Sequence, residues 1–429
     1  MRIIVVGAGL LGLTTAYFLR QHGAEVLIVE RQLGPGLETS FANGGMLHAS
    51  QANPWNEPGV LWQALRMLGR EDAALLIRPR AVLRMLGWAW TFVRNSSLPR
   101  YLTNVEKNAR LAAYSLTVLA EHLAGLALPF ERADRGTLKI YRGVAELETA
   151  SQFAERCRAF DIYYQVLTAK EVAILEPALA PISEQLSGGI HFPDDVSGDA
   201  HRFCRALAER CVTDGVQFRY ETHVQRILTS GGTVRGVMVD GEMLSADSVV
   251  LAAGSHSAAL AASAGVRVPV QPVKGYSITV PMAHWQVQPQ VPVIDEHYHA
   301  AVCPLGQQLR VAGTAEFAGF DTALTQSRIA NLYDLITRIY PLEATTIKRS
   351  ACAEWTGLRP MSPDGVGIMG RTRVAGLFLN TGHGHLGWTM APGAGKLVAD
   401  DIMQDKTELA RGDYQLARFT GAAARNFWS

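Results

Sequence analysis

Ile3-Ile4-Val5-Val6-Gly7-Ala8-Gly9-Leu10-Leu11-Gly12, with Glu30 eighteen residues further on, is the stretch whose reading decides the fold. Four apolar, mostly β-branched residues in a row read as a buried parallel strand. A helical pattern follows over residues 13–22, with Gly23 as the residue that ends it. A second strand runs over residues 25–29 and delivers Glu30 and Arg31. In this pattern Gly7 permits the tight turn, Gly9 lets the backbone approach a pyrophosphate, and Gly12 lets the helix pack closely on the sheet. The helix N-terminus at Leu10 and Leu11 offers free N–H groups to a diphosphate. Glu30 is placed to accept hydrogen bonds from a ribose hydroxyl pair, and it would repel a 2′-phosphate. A lone GxGxxG is weak, but here the strand, the helix and the acid are all in place. This motif alone leaves NAD and FAD both open.

Working outward, 429 residues suit two domains. With 48% hydrophobic and 18% charged residues, the chain is globular and not disordered. The formal charge of +1 and the lack of a basic run interleaved with aromatics exclude nucleic acid as an expected partner. The five cysteines, Cys157, Cys204, Cys211, Cys303 and Cys352, are scattered and form no CxxC, so reduced thiols and no metal site are expected. Residues 1–6 enter a strand directly with no export signal. No run of 18 or more uncharged apolar residues exists. A cytoplasmic location is therefore expected, with a peripheral contact on the inner face of the cell membrane as an option.

Two further segments favour FAD. Residues 38–46, Glu-Thr-Ser-Phe-Ala-Asn-Gly-Gly-Met, form a loop of a kind that NAD enzymes do not usually place here. Ser40, Asn43, Gly44, Gly45 and Met46 are its candidate cofactor contacts; the competing assignment is an ordinary surface loop. Residues 248–255 form a strand that ends in small residues, including Ala253 and Gly254, which permit close approach of a cofactor. Val224 precedes a hairpin-like stretch around Gly231-Gly232, and in related folds the backbone of the residue matching it meets the adenine.

The densest cluster runs from Trp355-Thr356-Gly357-Leu358-Arg359-Pro360-Met361 to Thr381-Gly382-His383-Gly384-His385-Leu386-Gly387-Trp388-Thr389-Met390. The second of these loops opens a helix from about Thr389. Its N–H groups would stabilise negative charge on a reduced flavin pyrimidine. Gly382, His383, Gly384, Leu386, Gly387, Trp388 and Thr389 join the candidate cofactor set on this ground.

With these motifs, together with Glu38–Asn43 and Pro272-Val273-Lys274-Gly275-Tyr276-Ser277, the chain resembles the D-amino-acid oxidase superfamily over essentially its whole length, and more closely the D-amino acid dehydrogenase (small-subunit type) family. The resemblance implies an α/β fold: a Rossmann-type FAD-binding domain from 1–90, 195–272 and 350–429, plus an α+β substrate domain with a mixed or antiparallel sheet from 91–194 and 273–349. It implies non-covalent FAD and oxidative deamination of D-amino acids to 2-oxo acids and ammonia, by hydride transfer to flavin N5. A quinone or another carrier would accept the electrons. Arg359 is expected to bind the substrate carboxylate, since its planar fork pairs bidentately and keeps its charge; the competing assignment is a surface or salt-bridged arginine. Tyr276 and Tyr298 are candidates to close over that carboxylate, with core aromatics on strands as the competing assignment; His385, with His48 and His383, is a candidate to touch substrate or flavin, with a backbone-bonded structural histidine as the competing assignment. Trp355 is assigned to packing. Departures from the family pattern lie at Asn43–His48, His385, and His297 and His299 beside Tyr298, and they bear on substrate identity.

Other readings are an imino or N-substituted amino acid substrate (D-hydroxyproline, proline, glycine or sarcosine type), a nicotinamide-dependent dehydrogenase, and a non-catalytic flavin-binding subunit. Residues 60–93 mix arginines with tryptophan and leucine, a composition that can lie in a bilayer interface or pack on a core.

Overall fold

A computed structural model describes residues 1–60, 62, 75–78, 85–298 and 300–419. The Arg2–Val6 strand pairs in parallel with Glu25–Val29 on one side and Ser248–Leu251 on the other. Gln217–Arg219 extends this sheet beyond Glu25–Val29, and Leu377–Thr381 extends it beyond Ser248–Leu251. An antiparallel edge strand, Ile368–Arg371, completes six. The near-continuous apolar run of each central strand follows from burial on both faces.

The Leu10–Gln21 helix crosses this sheet three residues earlier than the 13–22 pattern suggested, because the apolar Leu10 is buried and turns in at once. It packs against the Ala200–Thr213 and Gly387–Ile402 helices. A Cβ at Gly12 would fall 1.9 Å from the Gly7 carbonyl oxygen, so this crossing admits no side chain there. Asp199 caps the 200–213 helix, accepting from the Arg202 N–H at 2.9 Å.

A second, mixed sheet is built on Gln271–Pro281, which pairs antiparallel with both Ala353–Met361 and Gln308–Phe317. Its order continues through Ala300–Leu305, Val293–Asp295, Thr137–Tyr141, Gly188–Phe192 and Gln165–Leu167, with Leu75–Ile77 parallel to Gln308–Phe317. The Gln326–Ile339 helix covers one face of it.

Three segments sit differently from the expected domain division. Leu75–Ile77 and Ala353–Met361, expected with the nucleotide sheet, are strands of the second sheet. The Leu98–Val118 helix, expected with the substrate domain, packs on the Gly387–Ile402 helix beside the nucleotide sheet. In each case the partner is remote in sequence, so local pattern does not assign it.

No helix among the described residues is long and apolar enough to cross a membrane. The five cysteines are unpaired, and no cluster of metal ligands occurs among the described residues.

Candidate active site

A cavity of about 1150 Å³ runs between the two sheets. One end is the glycine turn. Gly7, Gly9, Leu10, Leu11, Glu30, Arg31, Val224, Ala253 and Gly254 line it. Gly7 has φ +107°, and a Cβ there would lie 2.7 Å from the Ala252 carbonyl oxygen, so the turn needs glycine. Gly9, at the N-cap, has no side chain to cap the helix, and Leu10 and Leu11 of its first turn line the cavity. Glu30 accepts from the Ala8 N–H at 2.7 Å and the Gln32 N–H at 2.8 Å. Burial raises its pKa, against the pull of those N–H groups. Arg31 hydrogen-bonds Glu38 and lies 2.9 Å from His256 Nε2.

The 38–46 loop is a wall of the cavity and not a free surface loop. Ser40 Oγ accepts from the Leu10 N–H at 3.2 Å. Thr39 donates to the Leu358 carbonyl, Ser277 donates to the Ala42 carbonyl, and Arg310 donates to the Asn43 carbonyl. These bonds tie the loop to the second sheet. Ser40, Asn43, Gly44 and Met46 line the cavity. Gly45 packs outward on Cys303 and Leu305.

At the other end, His48, Trp55, Arg359, His383, Gly384, His385, Gly387 and Trp388 line the same cavity. Arg359 occupies a prepared place. Its guanidinium lies across Gly275, donates to the Thr314 carbonyl at 3.4 Å, and sits 5.8 Å from the Trp55 ring centre. No carboxylate among the described residues is within ion-pair distance of it, which removes the salt-bridge alternative. Burial lowers its pKa to about 10, still cationic at neutral pH. A half-buried guanidinium that lines a cavity without a counter-ion is a ready site for an anionic ligand group.

Three histidines that line the cavity are held neutral by burial. Burial drives the pKa values of His48, His383 and His385 to about 3, helped by Lys139 at His48, Arg418 at His383 and Arg359 at His385. His385 stacks on Trp55 at 5.4 Å. Buried His48 Nδ1, both His383 ring nitrogens, His385 Nε2 and Thr356 Oγ1 have no partner among the described residues.

Not every expected residue reaches the cavity. Ala8 lies behind the turn, its N–H spent on Glu30. Gly12 faces the Gly7 carbonyl, Gly382 packs on Ile368 and Val270, and Leu386 is buried in the core. Thr389 supports the site from behind, its hydroxyl accepting from the His48 N–H at 3.1 Å.

Tyr276 is among the cavity's lining residues but its hydroxyl is engaged elsewhere, whereas Tyr298 does not line the cavity. Residues on a strand alternate faces, and Gly275 shares the cavity face with Arg359. The Tyr276 ring therefore joins the opposite core, where its hydroxyl donates to Glu316 at 2.6 Å. Tyr298 lies outside the cavity, held between the guanidinium groups of Arg142 and Arg338, each 5.0 Å from its ring centre. His297 packs edge-on against it, and His299 lies outside the described residues. Trp355, assigned to packing, does line the cavity, with its ring folded over Gly357. Sequence reasoning missed Trp55, Gly275 and Thr314. Gly275 stood inside a quoted motif, whereas Trp55 sits in a polar loop, Gln51-Ala52-Asn53-Pro54-Trp55, whose only signal is an isolated tryptophan.

These residues fit FAD: a glycine cradle, an acid at the ribose distance, an uncapped helix N-terminus at Leu386, and unpartnered buried polar atoms at the far end. Comparison with known proteins agrees. The model of the DAO family, described as FAD dependent oxidoreductase, matches residues 2–401. The chain is 39% identical to a protein of Rhizobium johnstonii named D-amino acid dehydrogenase, covering 98% of this chain and 100% of that one. Among solved structures it is similar to L-proline dehydrogenase from P. horikoshii, with 20% identity, a TM-score of 0.77, and 98% and 97% of the two chains covered. It is similar to glycine oxidase from Geobacillus kaustophilus, with 23% identity, a TM-score of 0.74, and 97% and 99% covered. A family match over almost the whole length, on a fold whose glycine cradle and acid suit a dinucleotide, leads to one conclusion: the chain belongs to the FAD-dependent oxidoreductases of the DAO family.

Proposed function

We propose that this protein oxidises D-amino acids to 2-oxo acids and ammonia and passes the electrons to a quinone or another carrier. The observation that carries the reading is Arg359, a half-buried guanidinium with no carboxylate partner among the described residues, in the cavity that fits FAD. Its fork suits an α-carboxylate. The D-amino acid assignment is supported by the Rhizobium relative, which carries that name and matches end to end. The two solved structures, at 20% and 23% identity, speak to the fold alone.

The bound flavin supplies a hydride acceptor at N5. The chain supplies position. Arg359 holds the carboxylate, and the stacked Trp55–His385 pair forms a wall beside it. His385 Nε2, neutral and unpartnered among the described residues, can accept an N–H from the substrate amine. The test is turnover with paired D- and L-amino acids and a dye acceptor. The D-enantiomers should yield 2-oxo acid and ammonia in equal amounts, whereas turnover confined to imino acids or glycine derivatives would replace the D-amino acid assignment.

The reading includes a peripheral membrane contact, through which a quinone would be reached. On the Leu86–Asn95 helix, Leu86, Trp90 and Val93 are exposed at helical spacing while Trp88 is buried, an arrangement that supports it. Residues 61, 63–74 and 79–84 of the same segment lie outside the described residues. Purified protein should sediment with anionic liposomes at low salt, and protein left in the supernatant would remove the contact.

A further inference from the structure

We propose that Thr314 is a positioning residue for substrate binding, acting through Arg359; the inference rests on the assignment of Arg359 to the substrate carboxylate. Pairing of Gln271–Pro281 with Gln308–Phe317 is regular except at one step. Gly275 faces Ala315 and the next residue, Tyr276, faces Gly313. Thr314 is the extra residue of a β-bulge. Its φ is +56°, the left-handed region that glycine takes in such bulges and that a β-branched residue rarely adopts. Thr314 thus carries an unfavourable backbone conformation, and its buried hydroxyl has no partner among the described residues. Costs of this kind persist where the surroundings enforce them, and they cluster at functional sites.

What the bulge achieves is visible at Arg359. A bulged residue leaves the ladder, so its carbonyl needs another donor in the sheet interior. That donor is Arg359 Nη1, at 3.4 Å, which makes the one hydrogen bond of this guanidinium among the described residues. The carbonyl gains a donor and the guanidinium gains one acceptor, and both residues line the cavity. Gly275 lies under the guanidinium and the Trp55 ring lies near it. Neither fixes rotation about the chain of the side chain as a directed hydrogen bond does. The Thr314 carbonyl therefore sets which N–H groups remain for a substrate carboxylate, and in what direction.

The test is a double-mutant cycle on the FAD-loaded enzyme. Two variants break the bulge: deletion of Thr314, which restores the regular register, and Thr314→Pro, whose ring holds φ near −65°. Each should raise KM for a D-amino acid about tenfold or more, with kcat within about twofold, as expected for loss of a hydrogen bond to a charged group. In an Arg359→Ala background the same changes should raise KM no further. Additive effects in that background, an unchanged KM in the single variants, or loss of FAD from both would each overturn the proposal. If Arg359→Ala alone leaves KM unchanged, the carboxylate assignment fails first. If it raises KM and the bulge variants do not, that assignment stands and the role of Thr314 falls.

Discussion

A Cβ placed on Gly275 would fall 2.0 Å from Arg359 Nη1 and 2.4 Å from its Cζ. The two residues lie on adjacent strands, and the glycine makes the space in which the guanidinium lies flat. Gly275→Ala should therefore displace Arg359 without touching the nucleotide end. We expect KM for a D-amino acid to rise about tenfold or more with FAD content unchanged, since a small misplacement of a binding group is costly. Steady-state kinetics alongside the visible flavin spectrum checks this. Wild-type KM in that variant would mean that the guanidinium finds its place without the gap.

Arg359→Ala removes the carboxylate fork itself. KM should rise on the order of a hundredfold, and FAD should stay bound, because no nucleotide contact is lost. Arg359→Lys keeps a charge but not the fork, so it should recover only part of the loss. Normal kinetics in the alanine variant would take Arg359 out of the site.

Glu30 joins two turns of backbone, through Ala8 and Gln32, at the glycine-turn end of the cavity. Glu30→Ala deprives both N–H groups and the ribose of their acceptor. FAD should dissociate about tenfold more readily, read as released flavin fluorescence on dilution. An unchanged affinity would count against the ribose contact.

Asp195 gives a pH dependence. It is buried, accepts from the Ser50 hydroxyl at 2.6 Å and the Ser50 N–H at 3.4 Å, and its pKa is raised by burial to about 6. Hydrogen bonds from Ser50 and the charge of Lys139 oppose that rise. Between the ordinary value of 3.8 and about 6, the folded chain holds this proton more tightly than the unfolded chain. Its contribution is therefore most favourable below that window and is lost as pH rises through it, by on the order of 3 kcal/mol. Asparagine cannot titrate. Melting curves of Asp195→Asn and wild type should converge near the acid end of the window and separate above it, with the variant the more stable. A gap independent of pH would contradict the account.

Much of the nucleotide half was legible because its signals are local. A four-residue apolar run, glycines at fixed offsets and an acid at the next strand end sit within thirty residues, and the Asp199 cap likewise needs only its own helix. The substrate half resisted for a physical reason. On a strand buried from both sides, alternation does not reveal which face meets a ligand, so Tyr276 read as a site residue although its hydroxyl faces Glu316. Tyr298 drew attention from flanking histidines, whereas two arginines hold it elsewhere. The Ala353–Met361 strand pairs with residues 74 to 90 positions earlier in sequence, and no local pattern names that partner. The Thr314 bulge had no marker at all, because a left-handed residue is expected to be glycine. Arg359 was legible through its motif, and the structure adds the absence of an ion-pair partner among the described residues.

The measurement that tests the central claim most directly is anaerobic reduction of the bound flavin. The purified protein, free of oxygen and added acceptor, is mixed in turn with D-amino acids, L-amino acids, glycine, sarcosine and both prolines while the visible flavin band is followed. The account predicts a yellow protein whose band is bleached by D-amino acids and not by their L-enantiomers. A yellow protein that only an imino acid or a glycine derivative bleaches, or that no amino acid bleaches, would contradict it.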